Sequence, residues 1–554
     1  MNEWWRKAVV YQIYPKSFND STGNGVGDLQ GIIERLDYIK KLGIDVIWLT
    51  PIYASPQKDN GYDISDYFQI HEEYGTMADF EELLAEAHKR GLKLIMDLVV
   101  NHTSTEHEWF RQARQTKNNR YRDFYIWKDP VNGAEPTNWQ SKFGGTAWEF
   151  DEKTGQYYLH LFDVSQADLN WENQELRRHV YEMMHFWFEK GIDGFRLDVI
   201  NLISKEQSFP DDREGDGRRF YTDGPRVHEF LQEMHEEVLA KYDSMTVGEM
   251  SSTSIGHCVK YSNPKSRELS MTFNFHHLKV DYPDGEKWAL ADFDFQALKQ
   301  ILSTWQVEMH KGGGWNALFW CNHDQPRVVS RYGDDDTYHK ESAKMLATTI
   351  HLMQGTPYIY QGEEFGMTNP GSQSIDDYRD IETLNAYEFL KESGRSEAET
   401  MAIIKEKSRD NSRAPVQWNS GGQAGFTTGT PWIPVSKNYV TINAEQALAD
   451  PSSIYYHYQK LIHLRKEYDI ITYGDYQLLN ADDKQLFVYL RTYKEEKLLV
   501  INNFYADETV FSCPPNINHN GAQAQLLLAN YQEAPRFAGT IRLRPYESLV
   551  YRIR

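Results

Sequence analysis

Arg196 and Asp198 are two charged residues inside the otherwise apolar run GFRLDVI. In a strand, residues two apart point to the same face, so we expect the guanidinium and the carboxylate to lie side by side. Buried charges are costly unless they are paired. The pair is therefore either a structural ion pair, which would also perturb pKa values, or a catalytic carboxylate kept ionised by an arginine that cannot lose its proton.

Polar residues follow several other apolar runs in the same way. Because any one of them alone could be structural, their recurrence after four runs favours catalysis over stability. Three carboxylates, two histidines and two amide groups recur at these positions: Asp97 in KLIMDLV with Asn101 and His102 just after it, Glu249 in MTVGEM, and Asn322, His323 and Asp324 after WNALFW.

Strand-like and helix-like runs alternate along most of the chain. We count eight strand candidates, which are VVYQIYP, DVIWLTP, KLIMDLV, GFRLDVI, MTVGEM, LSMTFNF, WNALFW and PYIYQ, with eight helical segments between and after them. This alternation predicts an α/β fold of the (β/α)8 barrel type, which carries its chemistry at the carboxyl ends of the strands. The polar residues fall at those ends.

The expected domain boundaries follow from changes in composition and in the alternation of strand-like and helix-like runs. We expect the barrel to comprise residues 1–102 and 174–472, with an aromatic, Gly- and Asn-rich subdomain inserted after the third strand at 103–173. Runs such as LFVYLRTY and KLLVINNFY then alternate without helices between them. This pattern predicts a C-terminal antiparallel β-domain, a β-sandwich, at 473–554.

Composition excludes several classes of function. A net charge of -22 over 554 residues argues against nucleic acid or an anionic membrane as a partner. Three widely spaced cysteines, Cys258, Cys321 and Cys513, argue against a disulfide framework or a structural zinc site. With no run of about 18 apolar residues and no signal-peptide pattern in MNEWWRKAVVYQIYP, we expect a cytoplasmic protein.

The candidate residues suit the hydrolysis of glycosides. The sequence has no GxGxxG after a strand, no P-loop and no GxSxG elbow. Paired carboxylates at the end of a barrel can instead divide the work of a glycosidase. One attacks the anomeric carbon, and the other protonates the leaving oxygen and later deprotonates water.

Five motifs, in chain order, carry a resemblance to a known family. They are DLVVNH (Asp97 to His102), QADLN, GFRLDVI, VGEM and CNHDQ. With them the whole chain resembles the alpha-amylase family of glycoside hydrolases. The resemblance implies that Asp198 is the nucleophile, Glu249 the general acid/base and Asp324 the transition-state stabiliser, with retention of anomeric configuration.

The resemblance also implies a closed sugar pocket. In it, Asp59 and Tyr62 bind the terminal glucose, and Arg413 pairs with Asp59 to close the end. A closed pocket implies removal of one glucose from the non-reducing end, which makes the enzyme exo-acting. The substrate-binding set implied in this way is Asp59, Tyr62, His102, Arg196, His323 and Arg413.

Three runs point to a narrower group in the family. Val199 after the nucleophile resembles the oligo-1,6-glucosidases and trehalose-6-phosphate hydrolases, while DGRRFYTDGPRVHEFL, GEMSSTS and MTFNFHHLKVDYP resemble the latter. The expected substrate is then a small sugar phosphate, trehalose 6-phosphate. Three alternatives remain: a hydrolase of isomaltose-type α-1,6 linkages, an isomerase that converts maltose to trehalose, and a non-catalytic transporter-associated scaffold.

A phosphorylated substrate requires positive charge at the mouth of the pocket. Because the chain is strongly acidic overall, a few cations must reverse the potential locally. The candidates are Lys279, which follows FNFHHL near a strand end, then Lys287, then Arg218. Each of them could instead be an ordinary solvated surface charge.

The loop DSTGNGVGD has the spacing of an EF-hand-like site. We expect no cofactor to be required, but a structural Ca or Mg could bind here. The third and fifth positions carry fewer charges than in metal-binding relatives, so a Gly-rich surface turn is the alternative. The possible ligands are Asp20, Thr22, Asn24, Val26 and Asp28.

Overall fold

The computed structural model describes residues 3–515, 517 and 524–553. Eight parallel strands pair in consecutive order, with the first strand beside the eighth. A bridge between Thr272 and Asn316 joins the sixth strand to the segment entering the seventh and so closes the barrel. The first to eighth barrel strands are Val10–Ile13, Val46–Leu49, Lys93–Leu98, Gly194–Leu197, Met245–Glu249, Met271–Phe273, Ala317–Leu318 and Thr356–Tyr360.

Eight helices surround the barrel. The first is typical, because Asp28 caps its N-terminus by accepting from the Gly31 N–H at 2.6 Å and Gly43 ends it with a left-handed backbone. Its apolar face is buried against strands that are themselves buried on both sides, as parallel sheets are. The barrel helices are Leu29–Leu42, Met77–Lys89, Gln174–Lys190, Val227–Glu237, Ile255–Ser262, Phe295–Gly312, His339–His351 and Ile454–Glu467.

The inserted segment follows the third strand. It contains an antiparallel pair, His102–Ser104 with Gln166–Asp168, and a small sheet of Trp127–Lys128, Gln156–Leu159 and Trp148–Asp151. Its core includes Trp139 and Trp148, together with Val199 and Tyr221 from the loop after the fourth strand. This shared core holds the insertion over the carboxyl end of the fourth strand.

Additional short elements surround the barrel. A hairpin of Tyr53–Ala54 and Asp66–Ile70 follows the second strand. Three helices after the eighth strand, Ile381–Glu392, Glu397–Lys407 and Asp410–Arg413, bring a second set of charged side chains to the same end of the barrel. The remaining short helices are Glu108–Ala113, Val328–Tyr332, Ala444–Ala449 and Asp469–Tyr473.

The C-terminal region is antiparallel. Five strands pair in one sheet and two in a second, and both sheets contribute to a separate apolar core. The predicted fold class, a (β/α)8 barrel with an insertion after the third strand and an antiparallel C-terminal β-domain, is therefore confirmed. Among the described helices, none is long and apolar enough to cross a membrane. The seven strands are Asp475–Leu479, Leu486–Tyr493, Glu496–Asn503, Thr509–Ser512, Ala524–Ala529, Thr540–Leu543 and Ser548–Ile553.

Candidate active site

Arg196 joins three carboxylates at the carboxyl ends of adjacent strands. It is opposite Asp97 in the pairing of the third and fourth strands. Its guanidinium donates to Asp97 and to Asp198 at 2.7 Å each, and its second nitrogen donates to Glu249. The guanidinium group is 1% exposed, so the charges of this cluster are screened little by water. In this cluster one buried guanidinium group holds three acidic groups, Asp97, Asp198 and Glu249, which can differ in proton affinity.

Burial and mutual contact set these proton affinities. Desolvation raises the pKa of Glu249 to about 8, opposed by Arg196 and increased by the charge of Asp198. Desolvation also raises the pKa of Asp198, while Arg196 and a hydrogen bond from Glu249 lower it. The contact between the two carboxyl groups thus favours a proton on Glu249 and a negative charge on Asp198. This division matches an acid beside a nucleophile.

Asp324 lies across the cavity, after the seventh strand. Burial alone would raise its pKa, but His323 and the charges of Arg409 and Arg413 hold the pKa well below its usual range. Arg413 donates to its carboxylate at 2.8 Å and Arg409 at 3.3 Å. Asp324 is therefore a permanent negative charge facing the cavity.

His323 is fixed within this wall. The Gln12 side-chain amide donates to its Nδ1 at 2.8 Å. The Tyr62 ring stacks on its imidazole with 5.2 Å between ring centres and 5° between planes. Burial lowers its pKa to about 3, so the ring is neutral at pH 7. A neutral, immobile imidazole can hydrogen-bond a neutral hydroxyl group.

Asp59, His102 and Gln166 form a hydrogen-bonded group at the cavity, and Asp59 and His102 line it. The Gln166 amide donates to Asp59 at 3.0 Å and lies 3.3 Å from His102 Nε2. Burial lowers the pKa of His102 to about 4. Tyr62, whose hydroxyl donates to Asp97 at 3.0 Å, lines the same space. Neutral imidazole, amide and carboxylate groups here present both donors and acceptors to a ligand.

The predicted ion pair between Arg413 and Asp59 is wrong. Arg409 pairs with Asp59 at 3.1 Å, whereas Arg413 contacts Asp324, Asp380 and the carbonyl oxygen of His323. The two arginines are four residues apart on one helical turn, so their side chains lie on the same side of it. Of the two, Arg409 lines the cavity, whereas Arg413 is held against the carbonyl oxygen of His323, after the seventh strand.

The cavity has a volume of about 260 Å³. It is lined by six of the predicted catalytic and sugar-binding residues and by aromatic side chains, including Phe143, Phe162, Phe275 and Tyr282. Aromatic faces suit the apolar faces of a sugar ring. The six residues are Asp59, Tyr62, His102, Asp198, Glu249 and Asp324.

The backbone after the nucleophile candidate is strained. Val199 has φ 35, and its N–H points toward a Glu249 oxygen at 3.4 Å. A β-branched residue in the left-handed region is an outlier that must be held by its surroundings. Val199 is buried in the aromatic core of the insertion. This core therefore fixes the turn that directs Asp198 into the cavity.

The phosphate candidates differ in what they contact. Lys279 lines the cavity, and within the described residues its ammonium has no hydrogen-bond or ion-pair partner. Lys287 also lines it, but both oxygens of Glu382 lie 2.7 Å from its nitrogen. Arg218 pairs with Asp216 at 2.9 Å on the exposed surface. Of these three candidates, only Lys279 offers a charge without a partner among the described residues.

The Asp20 loop is arranged as a hydrogen-bonded turn. The Asp20 carboxylate already accepts five hydrogen bonds, from Thr22, Gly23, Gly25 and Thr427. Asp28 accepts three more. Across the described ranges, no group of three or more His, Cys, Asp or Glu side chains is arranged to hold a metal ion. The N–H and O–H donors thus provide these two carboxylates with partial positive charge.

Four functional candidates were missed by the sequence reasoning. Asp380 binds both arginines and caps a helix, and Lys142 lines the cavity. Gln166 lies in the motif QADLN. Arg409 is the first of two arginines in the run SRDNSR, and only the second, Arg413, was predicted to bind the substrate. No local signal marks Asp380 or Lys142.

Comparison with known proteins supports the geometry. The alpha amylase catalytic domain matches residues 12–474, and the C-terminal domain of the alpha-amylase SusG matches residues 486–550. The trehalose-6-phosphate hydrolase of Bacillus subtilis (strain 168) is 68% identical, over 99% of this chain and 98% of that protein. An oligo-1,6-glucosidase of Parageobacillus thermoglucosidasius is 56% identical, over 100% of this chain and 99% of that protein.

A solved structure is similar throughout. The trehalose-6-phosphate hydrolase of Bacillus licheniformis, solved as a mutant in complex with PNG, has a TM-score of 0.98, 71% identity and full coverage of both chains. The protein described here belongs to the alpha-amylase family of glycoside hydrolases.

Proposed function

We propose that the protein is a retaining, exo-acting α-glucosidase that hydrolyses trehalose 6-phosphate to glucose and glucose 6-phosphate. One observation carries the substrate assignment. The cavity is lined by the Asp59–Arg409 pair, which we take as its closed end, and by Lys279, whose charge has no partner in the described part of the chain. The 68% identical relative bears the same activity in its name.

In the proposed mechanism, Asp198 attacks the anomeric carbon of the unphosphorylated glucose. Glu249 gives its proton to the glycosidic oxygen, and glucose 6-phosphate leaves. Ionised Glu249 then takes a proton from water, whose oxygen displaces Asp198 and releases glucose with retained configuration. The carboxyl groups of a retaining pair are expected about 5–5.5 Å apart. Asp324 stabilises the positive charge that develops on the sugar ring.

The closed end would hold the glucose ring. Asp59, His102 and His323 hydrogen-bond its hydroxyl groups, and Tyr62 stacks against it. Arg409 takes the closing role that the sequence suggested for Arg413, and Arg413 keeps Asp324 ionised. Arg196 keeps Asp198 charged and oriented, because its proton is not lost in the physiological range.

Phosphate binding is assigned first to Lys279. Lys287 is already neutralised by Glu382, and Arg218 by Asp216, so each would have to exchange partners to bind a ligand. An ammonium group without an ion pair has no protein partner to give up when it binds a phosphate, and it gains a charge-assisted hydrogen bond.

The second candidate is hydrolysis of isomaltose-type α-1,6 linkages. It is favoured by the 56% identity to an oligo-1,6-glucosidase. Such a substrate leaves the charge of Lys279 without a partner, which is why it ranks second. We further propose a cytoplasmic location, catalysis without a metal or other cofactor, and domain limits at residues 1–102 with 174–472, 103–173 and 473–554.

Lys279→Ala should raise KM for trehalose 6-phosphate at least about tenfold, because charge-assisted hydrogen bonds contribute about 1.5–3 kcal/mol. Activity on the neutral substrate 4-nitrophenyl α-glucoside provides the reference, since this substrate has no phosphate. Steady-state kinetics on both substrates measure the effect. Equal losses on the two would mean that Lys279 supports the pocket in general and would remove it from the phosphate site.

Proton NMR of the hydrolysis of trehalose 6-phosphate tests the proposed function itself. We expect glucose and glucose 6-phosphate in equal amounts, with the free glucose first appearing as its α anomer. Spectra must be recorded before mutarotation mixes the anomers. If β-glucose appears first, the covalent intermediate is excluded. If no products appear, the substrate assignment fails.

A further inference from the structure

Lys142 extends from the inserted segment into the active-site cavity. Its backbone N–H is fixed by the Leu161 carbonyl at 2.8 Å. Its ammonium donates to the Ser251 hydroxyl at 3.1 Å, two residues after Glu249, and lies 5.5 Å from the ring centre of Tyr221. No carboxylate in the described part of the chain pairs with it. Lys142 is a second cation of this cavity without an ion pair.

Lys142, Arg218 and Lys279 come from three different loops and interact electrostatically. Desolvation, followed by the charges of Arg218 and Lys279, lowers the pKa of Lys142 to about 7, while Asp216 and Glu249 oppose the shift. The pKa of Lys279 is lowered by desolvation and by Arg218. Of the three, only Arg218 is paired with a carboxylate. Without a ligand, the cluster is electrostatically unfavourable in a chain that is acidic overall.

A bound phosphate dianion would turn the repulsion among these three cations into attraction to the ligand. Opposite charge within a few ångströms favours the protonated form of an amine. We infer that Lys142 is a phosphate ligand of the leaving-group subsite, contributed by the inserted segment, and that it takes up a proton from solvent when a sugar phosphate binds. The inference rests on the proposed function, because the bound anion is the phosphate of the leaving glucose 6-phosphate. Lys142 would then help select the phosphorylated substrate.

Glucose 6-phosphate is the probe for the test, because it carries the anion and is not hydrolysed. At pH 8 its phosphate is fully ionised, since the second pKa of a phosphate ester is about 6, so it contributes no proton change. Glu249 also titrates near this pH. The titrations are therefore made on full-length Glu249→Gln protein, in two buffers that differ in ionisation enthalpy.

Calorimetry should show an uptake of between about half and one proton per glucose 6-phosphate bound, since an amine of pKa about 7 is mostly neutral at pH 8. In the Glu249→Gln protein, the further substitution Lys142→Met should abolish the proton uptake and weaken the binding of glucose 6-phosphate at least about tenfold. Adding Lys142→Arg should keep most of the affinity but abolish the uptake, because arginine is always charged. This second variant separates the proton effect from a loss of packing.

Lys117→Met is the matched control. Lys117 lies in the same inserted segment, is exposed and contacts Asp129 at 3.6 Å away from the cavity lining. It should leave affinity and proton uptake unchanged. Proton uptake that persists in Lys142→Met, or unchanged affinity there, overturns the inference. If the wild-type protein does not hydrolyse trehalose 6-phosphate, the proposed function fails instead, so the two failures are distinguishable.

Discussion

Asp198→Asn and Glu249→Gln should each lower kcat on trehalose 6-phosphate at least about a thousandfold, which is about 4 kcal/mol of barrier, without unfolding the protein. Each replacement keeps the shape of the side chain and removes the group that would react. Asparagine cannot form the covalent intermediate, and glutamine cannot donate a proton. Circular dichroism and thermal unfolding check the fold, and steady-state kinetics measure the loss.

Two further readouts separate the roles of these residues. Glu249 must be protonated for the first step, so wild-type kcat/KM should fall as pH rises through about 8, where this acid ionises. Measured on unphosphorylated trehalose, which has no phosphate for Lys142 to bind, the decline should be present in the wild type and absent from the residual activity of Glu249→Gln. On 4-nitrophenyl α-glucoside, whose leaving group needs little protonation, the first step of Glu249→Gln should be much less impaired than that of Asp198→Asn. A variant that keeps more than a tenth of wild-type kcat on trehalose 6-phosphate loses its assigned role.

Arg196→Met should both inactivate and destabilise the protein. The substitution leaves Asp97, Asp198 and Glu249 buried together without a counter-charge. Breaking a buried ion pair by removing one partner costs about 3–5 kcal/mol. Protons would then bind the carboxylates to relieve the repulsion, and Asp198 would be lost as a nucleophile even in molecules that remain folded.

Thermal unfolding and kinetics at several pH values measure both effects. Arg90→Met is the control, because Arg90 makes ion pairs with Asp37 and Glu86 near the surface, where such pairs contribute little. We expect a clear fall in Tm for Arg196→Met and a much smaller one for Arg90→Met. An Arg196→Met protein with wild-type Tm and activity would show that the cluster needs no cation.

The barrel could be predicted because its signals are local. Seven of the eight strands lie within a predicted apolar run, and the eighth begins one residue before its run, at Thr356. The capped helix at Asp28 and Gly43 begins and ends where its sequence indicates. The carboxylates Asp97, Asp198 and Glu249 were found because polar residues that end parallel strands must meet at one edge. Local periodicity and strand direction are enough for these conclusions.

The rim of the site could not be predicted in the same way. Arg409 and Asp59 are 350 residues apart in sequence, and nothing local distinguishes Arg409 from Arg413. Asp380 and the helices after the eighth strand fall outside the simple strand–helix alternation. Lys142 is a lysine in a Gly-rich loop until the fold of the inserted segment brings it beside Ser251. Contacts of this kind depend on tertiary structure.

The most direct test of the central claim is kcat/KM measured side by side on trehalose 6-phosphate, trehalose and isomaltose. The three substrates share a terminal glucose for the closed end of the cavity and differ in linkage and charge. We predict that trehalose 6-phosphate exceeds trehalose at least about tenfold, the contribution of one charge-assisted hydrogen bond, and exceeds isomaltose as well. A higher kcat/KM for isomaltose, or equal values for trehalose with and without its phosphate, would contradict this account.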